Sequence, residues 1–115
     1  MFDDYVFNSV SEILGKKWRL AVLYILKDCN ELRFSEIRRH LPRCSPKVLS
    51  ETLRDLEKRN LVVRRQYPTI PVKVTYTFNV DNQEIASALP LIKSAFFHYM
   101  LRNPELYRGP SYHAE

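Results

Sequence analysis

Glycine is nearly absent from this chain, with two in 115 residues. Few turns can therefore rest on a left-handed glycine, and a glycine-rich loop that cradles phosphate is excluded. Long apolar runs are missing too. No window approaches eighteen uninterrupted apolar residues, so no segment is expected to span a membrane. The opening MFDDYVF is acidic and lacks the basic-then-apolar layout of a signal peptide, so a cytoplasmic protein is expected. Cysteine is scarce. Cys29 and Cys44 are expected as thiols of a reducing compartment rather than as a disulfide. The spacing of Glu36, His40 and Cys44, with Cys29 upstream, is the one arrangement that hints at a metal or Cys/His nucleophile site. Pro42 interrupts a helix between His40 and Cys44, so that spacing does not put them on one face. Neither a cofactor nor a metal is expected, and no enzyme activity.

What the chain does have is an ordinary globular composition, 45% apolar and 27% charged, at the length of one small domain. The expected division is a single domain over 1–102 and a polar tail over 103–115. The net charge of +5 is unevenly placed. Residues 15–67 carry fourteen Lys/Arg and six Asp/Glu, a net of +8, whereas the rest carries four and seven, a net of −3. A basic middle between acidic ends suits a polyanion, and double-stranded DNA is the polyanion considered first. A solvated, salt-bridged surface is the plainer alternative.

The stretch 45–60, SPKVLSETLRDLEKRN, organises the rest. Ser45 suits an N-cap and Pro46 the first helical position. Val48, Leu49, Thr52, Leu53 and Leu56 fall on one face. Lys47, Glu51, Arg54 and Lys58 fall opposite, with Ser50 at the flank. Upstream, Tyr5–Leu14 reads as a helix broken by Gly15. Trp18–Leu26 reads as a central helix buried on most sides, with Trp18 in the core or at an interface. Leu32 and Arg33 suggest a very short strand. Ser35 is a candidate cap for a short helix over Glu36–Leu41. A turn at Pro42–Cys44 then joins two helices, the arrangement of a helix-turn-helix.

Downstream, LVVRRQY and VKVTYTF flank the tip Pro68–Pro71. In the second run Val72, Val74, Tyr76 and Phe78 alternate with Lys73, Thr75 and Thr77, a strand period. The hairpin 62–78 reads as a wing. Asp81 opens a last helix with Glu84 three residues later. Pro90 inside it must kink the helix or begin a new one. Its stripe Ile85, Leu89, Ile92, Phe96 and Met100, beside Phe97, is more apolar than a small domain needs. A homodimer is therefore expected, with Val6 and Val10 of the first helix and Phe96, Phe97 and Met100 of the last at the interface. The fold class is α+β, mainly α: a winged helix-turn-helix with a β-hairpin wing and terminal dimerisation helices.

GKKW at 15–18, LRFSEIRRHLP at 32–42, SPKVLSETLRDLE at 45–57 and YPTIPVKVTYTF at 67–78 together resemble the HxlR-type winged helix-turn-helix regulators, relatives of the MarR regulators. The resemblance implies a homodimeric, DNA-binding transcription regulator. Two departures stand out. The cysteine that members often carry before the first helix is missing from MFDDYVFNSV, and NVDNQE at 79–84 replaces the usual glycine-containing opening of the last helix.

The expected division of labour assigns Arg38, Arg39 and Arg43 to phosphates. Lys47, Ser50, Glu51 and Arg54 face the major-groove floor behind the cap Ser45, and Arg54 is the candidate for a bidentate guanine contact. Lys58, Arg64, Arg65 and Lys73 serve the backbone or minor groove. Two other readings stay open: a winged-helix module that binds protein without DNA, and a thiol redox sensor using Cys29 or Cys44. The sequence names no small-molecule effector.

Overall fold

The computed structural model describes residues 3–107. Among them run α1 (Asp4–Leu14), α2 (Lys17–Cys29), α3 (Phe34–His40), α4 (Pro46–Lys58), β1 (Val62–Tyr67), β2 (Lys73–Phe78) and α5 (Gln83–Arg102), then a single 3-10 turn at Pro104–Leu106. The chain forms two compact units, one ending at Val80 and one beginning at Asp81. The mainly helical fold with one hairpin is the winged helix-turn-helix read from the sequence.

Asp3 caps α1, accepting from the N–H groups of Tyr5 (3.0 Å) and Val6 (3.2 Å). The helix stops at Gly15, whose N–H donates to Ser11 O at 2.8 Å. Glycine is needed there for space: a Cβ would lie 2.5 Å from the Ser11 carbonyl oxygen. The second helix is less buried than its composition suggests. Only Val22, Leu23 and Leu26 are fully covered, while Trp18, Leu20, Ala21, Tyr24 and Ile25 are half-buried. It packs on α1, α3, α4 and β2, and these leave part of its circumference to solvent. Asn30, at φ 63°, ends it in the left-handed region that asparagine tolerates.

Leu32 alone forms the short strand, bridging Tyr76 through two backbone hydrogen bonds of 3.1 and 2.8 Å. Ser35 is not the cap of α3. The helix starts one residue earlier than its expected cap, and Glu36 reaches back to the Arg33 N–H at 2.8 Å. For α4 the expected signals hold. Ser45 Oγ accepts from the Val48 N–H at 3.1 Å, and Pro46 opens the helix. The helix proper is shorter than 45–60, because Asn60 adopts φ 60° beyond its end. The Leu61 N–H then returns to Leu56 O and the Asn60 N–H to Glu57 O, each 3.0 Å. This closure satisfies the last carbonyls and brings buried Leu61 back over buried Leu56.

The hairpin pairs Val62 with Phe78 through to Tyr67 with Lys73. The expected alternation along β2 does not decide its burial: Thr75 and Phe78, on opposite faces, are the buried residues. The cause is local. Glu31 accepts from the Thr75 hydroxyl and Leu32 pairs along the same edge, so the nominally polar face is covered. The core of this unit joins Val22, Leu23 and Leu26 of α2, Ile37 of α3, and Leu49, Leu53 and Leu56 of α4 to Leu61, Val62 and Phe78 of the hairpin.

In the second unit, α5 starts after Asn82 rather than at Asp81, and the Asn82 side chain makes no cap hydrogen bond. The helix continues through Pro90, so no separate helix begins there. Leu89 is buried. Asn103 Nδ2 donates to Tyr99 O at 2.9 Å, and the Tyr99 and Tyr107 rings meet edge to face at 5.8 Å. Residues 103–107 of the expected tail therefore include a 3-10 turn; 108–115 lie outside the described residues.

Leu53 is buried between the helices, so Leu53→Ala is expected to cost about 2–5 kcal/mol of stability through lost transfer energy and a residual cavity. Urea unfolding followed by circular dichroism measures it. Arg38→Ala, at an exposed position, should stay within about 0.5 kcal/mol of the parent.

Candidate nucleic-acid interface

The helix-turn-helix is set by a turn that folds on itself. The Leu41 N–H donates to Arg38 O and the Cys44 N–H to Leu41 O, both at 3.0 Å, with Cys44 buried beneath. This places Arg38 and Arg39 in the last turn of α3, Arg43 in the connection and Ser45 at the cap of α4, all exposed. Along α4 the two faces separate as read from the sequence. Leu49, Thr52, Leu53 and Leu56 are buried, Lys47, Glu51, Arg54 and Lys58 are exposed, and Ser50 is half-buried. Val48 departs from its expected face. It is exposed and lines, with Trp18, Thr52, Glu51, Asp55 and the α1–α2 turn, an open hollow of about 300 Å³.

Ion pairing sorts the basic residues. Arg19 of α2 pairs with Asp55 of α4 at 3.2 Å and also donates to Glu12 O at 2.9 Å. Arg59 pairs with Glu12 of α1. These two arginines hold α4 to its neighbours along one flank. Among the described residues, no acidic group lies within ion-pair distance of Arg38, Arg39, Lys47, Arg54 or Lys58. A merely solvated, salt-bridged surface would pair both sets. The sequence reading missed Lys16 and Lys17, which line the hollow beside α4. Their signal was the GKKW run at the start of α2.

The wing carries the other cations. Arg64 and Arg65 are exposed on β1, and Arg64 Nη1 reaches Gln66 Oε1 at 3.5 Å. Lys73 Nζ sits over the Tyr67 ring at 5.1 Å. Tyr67 in turn donates its hydroxyl to Glu31 Oε2 at 2.5 Å, and Thr75 donates to the same oxygen. Glu31, in the α2–α3 loop, thus clamps both strands. The hydrogen bonds from Thr75 and Tyr67 hold its carboxyl below the ordinary glutamate value, and the positive charges of Arg65 and Lys73 act in the same direction. Composition and period did not point to Glu31, because its partners lie 36 and 44 residues away.

The thiols occupy different settings. Cys29 is exposed at the end of α2, whereas Cys44 is buried and its pKa is raised by desolvation. Exposed His40 and buried Cys44 share no face, and no group of three or more His, Cys, Asp or Glu among the described residues is placed to hold a metal. No described helix is long and apolar enough to cross a membrane. The expected interface residues Val6 and Val10 are exposed on α1. Phe96 and Phe97 are exposed on α5 at 62% and 57%, and Met100 is half-buried.

A family profile described as HxlR-like helix-turn-helix matches residues 13–103. An HTH-type transcriptional regulator of Halalkalibacterium halodurans, itself uncharacterised, is 31% identical over 90 residues, covering 78% of this chain and 77% of that protein. The HTH-type transcriptional regulator YodB of Bacillus subtilis is 41% identical over 70 residues, covering 61% and 62%. The reduced form of YodB superposes with a TM-score of 0.67 at 32% identity over 87% of this chain and 92% of that one. The redox regulator HypR in its reduced form superposes at 0.76, with 26% identity over 88% and 98%.

A depressed carboxyl stabilises the folded state above the unfolded glutamate pKa and loses that contribution as pH falls through the folded value. The clamp is therefore expected to be fully present at neutral pH and to be released on acidification below the ordinary glutamate range. Glu31→Gln should lower the melting temperature at pH 7, and the gap from the parent should close as pH falls. Thermal melts of both proteins across pH measure it.

Proposed function

We propose, from the premise that this chain belongs to the HxlR-like helix-turn-helix family and is a transcriptional regulator, that it binds specific duplex DNA as a homodimer with α4 in the major groove. The observation that carries this reading is the sorting of charge around α4. The flank facing α1 and α2 is ion-paired, and on the outward face Lys47, Arg54 and Lys58 outnumber Glu51 and form no ion pair. Cations without acidic partners are available to displace counterions from phosphates, which supplies most of the affinity of such proteins for DNA. In this reading Arg38, Arg39 and Arg43 hold the phosphate backbone. Lys47, Ser50, Glu51 and Arg54 face the base edges. Lys58, Arg64, Arg65 and Lys73 follow the backbone toward the wing. Arg54 carries the planar fork that matches guanine O6 and N7.

The second partner is another copy of this chain, through apolar residues exposed on α1 in the first unit and on α5 in the second. A two-fold arrangement would put two reading helices about 34 Å apart and favour a palindromic site. Light scattering at micromolar concentration should return about twice the mass of one chain; a value near one chain would refute the dimer.

Fluorescence anisotropy on a duplex recovered from a random-library selection tests the DNA reading. Arg54→Ala is expected to cost about 1–3 kcal/mol on the preferred site and to relax preference at one base pair. Arg38→Ala is expected to weaken binding to all sequences alike and to make the log–log salt slope shallower by about one unit per contact, roughly two per dimer. Parent-like binding by both variants, with normal melts, would overturn DNA reading in favour of a protein partner.

A further inference from the structure

One charge on the outward face of α4 has the wrong sign for a phosphate. Glu51 stands exposed among Arg54, Lys47 and Lys58, cations three, four and seven residues away along the same helix. Lys16 and Lys17 border the hollow that Glu51 also lines. Despite these neighbours, Glu51 makes no ion pair among the described residues. Asp55, one turn further along, is held by Arg19. Glu57 lies in the last turn of α4, whereas base edges are met by the N-terminal part of such a helix. Glu51, in the second turn, is the acid placed for that contact.

The chemistry of a carboxylate narrows what it can meet there. Ionised, it only accepts hydrogen bonds. In the major groove guanine presents N7 and O6, both acceptors, and thymine presents O4 and a methyl group, so neither satisfies it. Adenine presents its N6 amino group beside N7, and the N7 lone pair repels a carboxylate drawn to N6. Cytosine N4 is the one donor with no acceptor beside it on its own base. A carboxylate carried into the groove and left without a donor gives up its water for nothing, at a cost in free energy. The charge that favours one base therefore penalises the other three.

The helix sets where that base lies. Arg54 follows Glu51 by three residues, a rise of about 4.5 Å along α4 and a turn of about 60° around it. One base-pair step is about 3.4 Å. The two side chains therefore reach base pairs no more than two steps apart.

We propose that Glu51 is a specificity-determining residue that selects cytosine, through N4, within two base pairs of the guanine read by Arg54. This rests on the DNA reading above and adds to it a base identity that only an acidic residue imposes.

The test runs random-library selections on the full chain and on Glu51→Gln, Glu51→Ala and Arg54→Ala. Fluorescence anisotropy follows on the recovered duplexes and on one unrelated duplex. All three variants are expected to melt like the parent, because both positions are exposed. The parent motif should contain a cytosine within two base pairs of the guanine whose preference Arg54→Ala loses. Any other base in place of that cytosine should weaken parent binding roughly five- to 150-fold. Glu51→Gln should exchange cytosine for adenine at that position alone, because an amide both accepts from N6 and donates to N7. Glu51→Ala should lose preference there and bind the unrelated duplex more tightly than the parent, since a negative charge has left the face. A glutamate that only thins the positive charge would give the tighter unrelated binding with the parent motif unchanged. That result, while Arg54→Ala alters the motif, would overturn the assignment and leave the DNA reading standing. A parent selection that enriches no motif would overturn the reading and the assignment together.

Discussion

Everything in the first unit depends on one dry seam, the contact of Leu49, Leu53 and Leu56 of α4 with the core built around Val22, Leu23 and Leu26 of α2. A helix held by a single apolar stripe is free to be charged elsewhere, and α4 uses that freedom. The seam fixes its rotation about its own axis, so that Lys47, Arg54 and Lys58 all point outward together. A rotation of one residue, about 100°, would bury a cation, at a cost that no local hydrogen bond could offset.

The ion pairs refine what the seam begins. Arg19–Asp55 and Arg59–Glu12 sit on the same flank of α4 and tie it to α2 and α1. They are partly exposed and each contributes little to stability. Their greater effect is on the balance of charge, because Asp55 and Glu12 are taken up by the flank while Glu51 on the outer face forms no ion pair with Lys47, Arg54 or Lys58. That the basic residues divide into a paired set and an open set is a property of the fold and could not be read from their number.

Most of the frame was legible in the sequence because its signals are local. Ser45 and Pro46 announce the start of α4, Asn60 its end, and the prolines at 68–71 the turn between strands. Each acts within four or five residues. The failures share a cause as well. Thr75 is buried because a glutamate 44 residues upstream accepts its hydroxyl, and no period along β2 encodes that. Val48 is open because the α1–α2 turn leaves a hollow there. Ser35 lies inside α3 because the cap falls two residues earlier, at Arg33, whose N–H donates to the Glu36 carboxylate. Phe96 and Phe97 of α5 are exposed, as their place on the apolar stripe beside Met100 had left open.

The wing is joined to the helices in two ways that differ in kind. At its root it continues from α4 through the closed turn at Asn60 and Leu61, a link made entirely of near neighbours. Along its edge it is held by Leu32 with Tyr76 and by Glu31 with Tyr67 and Thr75, contacts that span 36 to 44 residues. Local links form early and cheaply; distant ones close a long loop and form late. The direction of the wing is thus the last feature of this unit to be acquired and the first that a partial opening gives up. A chain in that partly opened state keeps its helix-turn-helix and its charge, while the direction of its wing is no longer fixed. On the proposed DNA reading, discrimination between binding sites is then less robust to heat or acid than attachment itself.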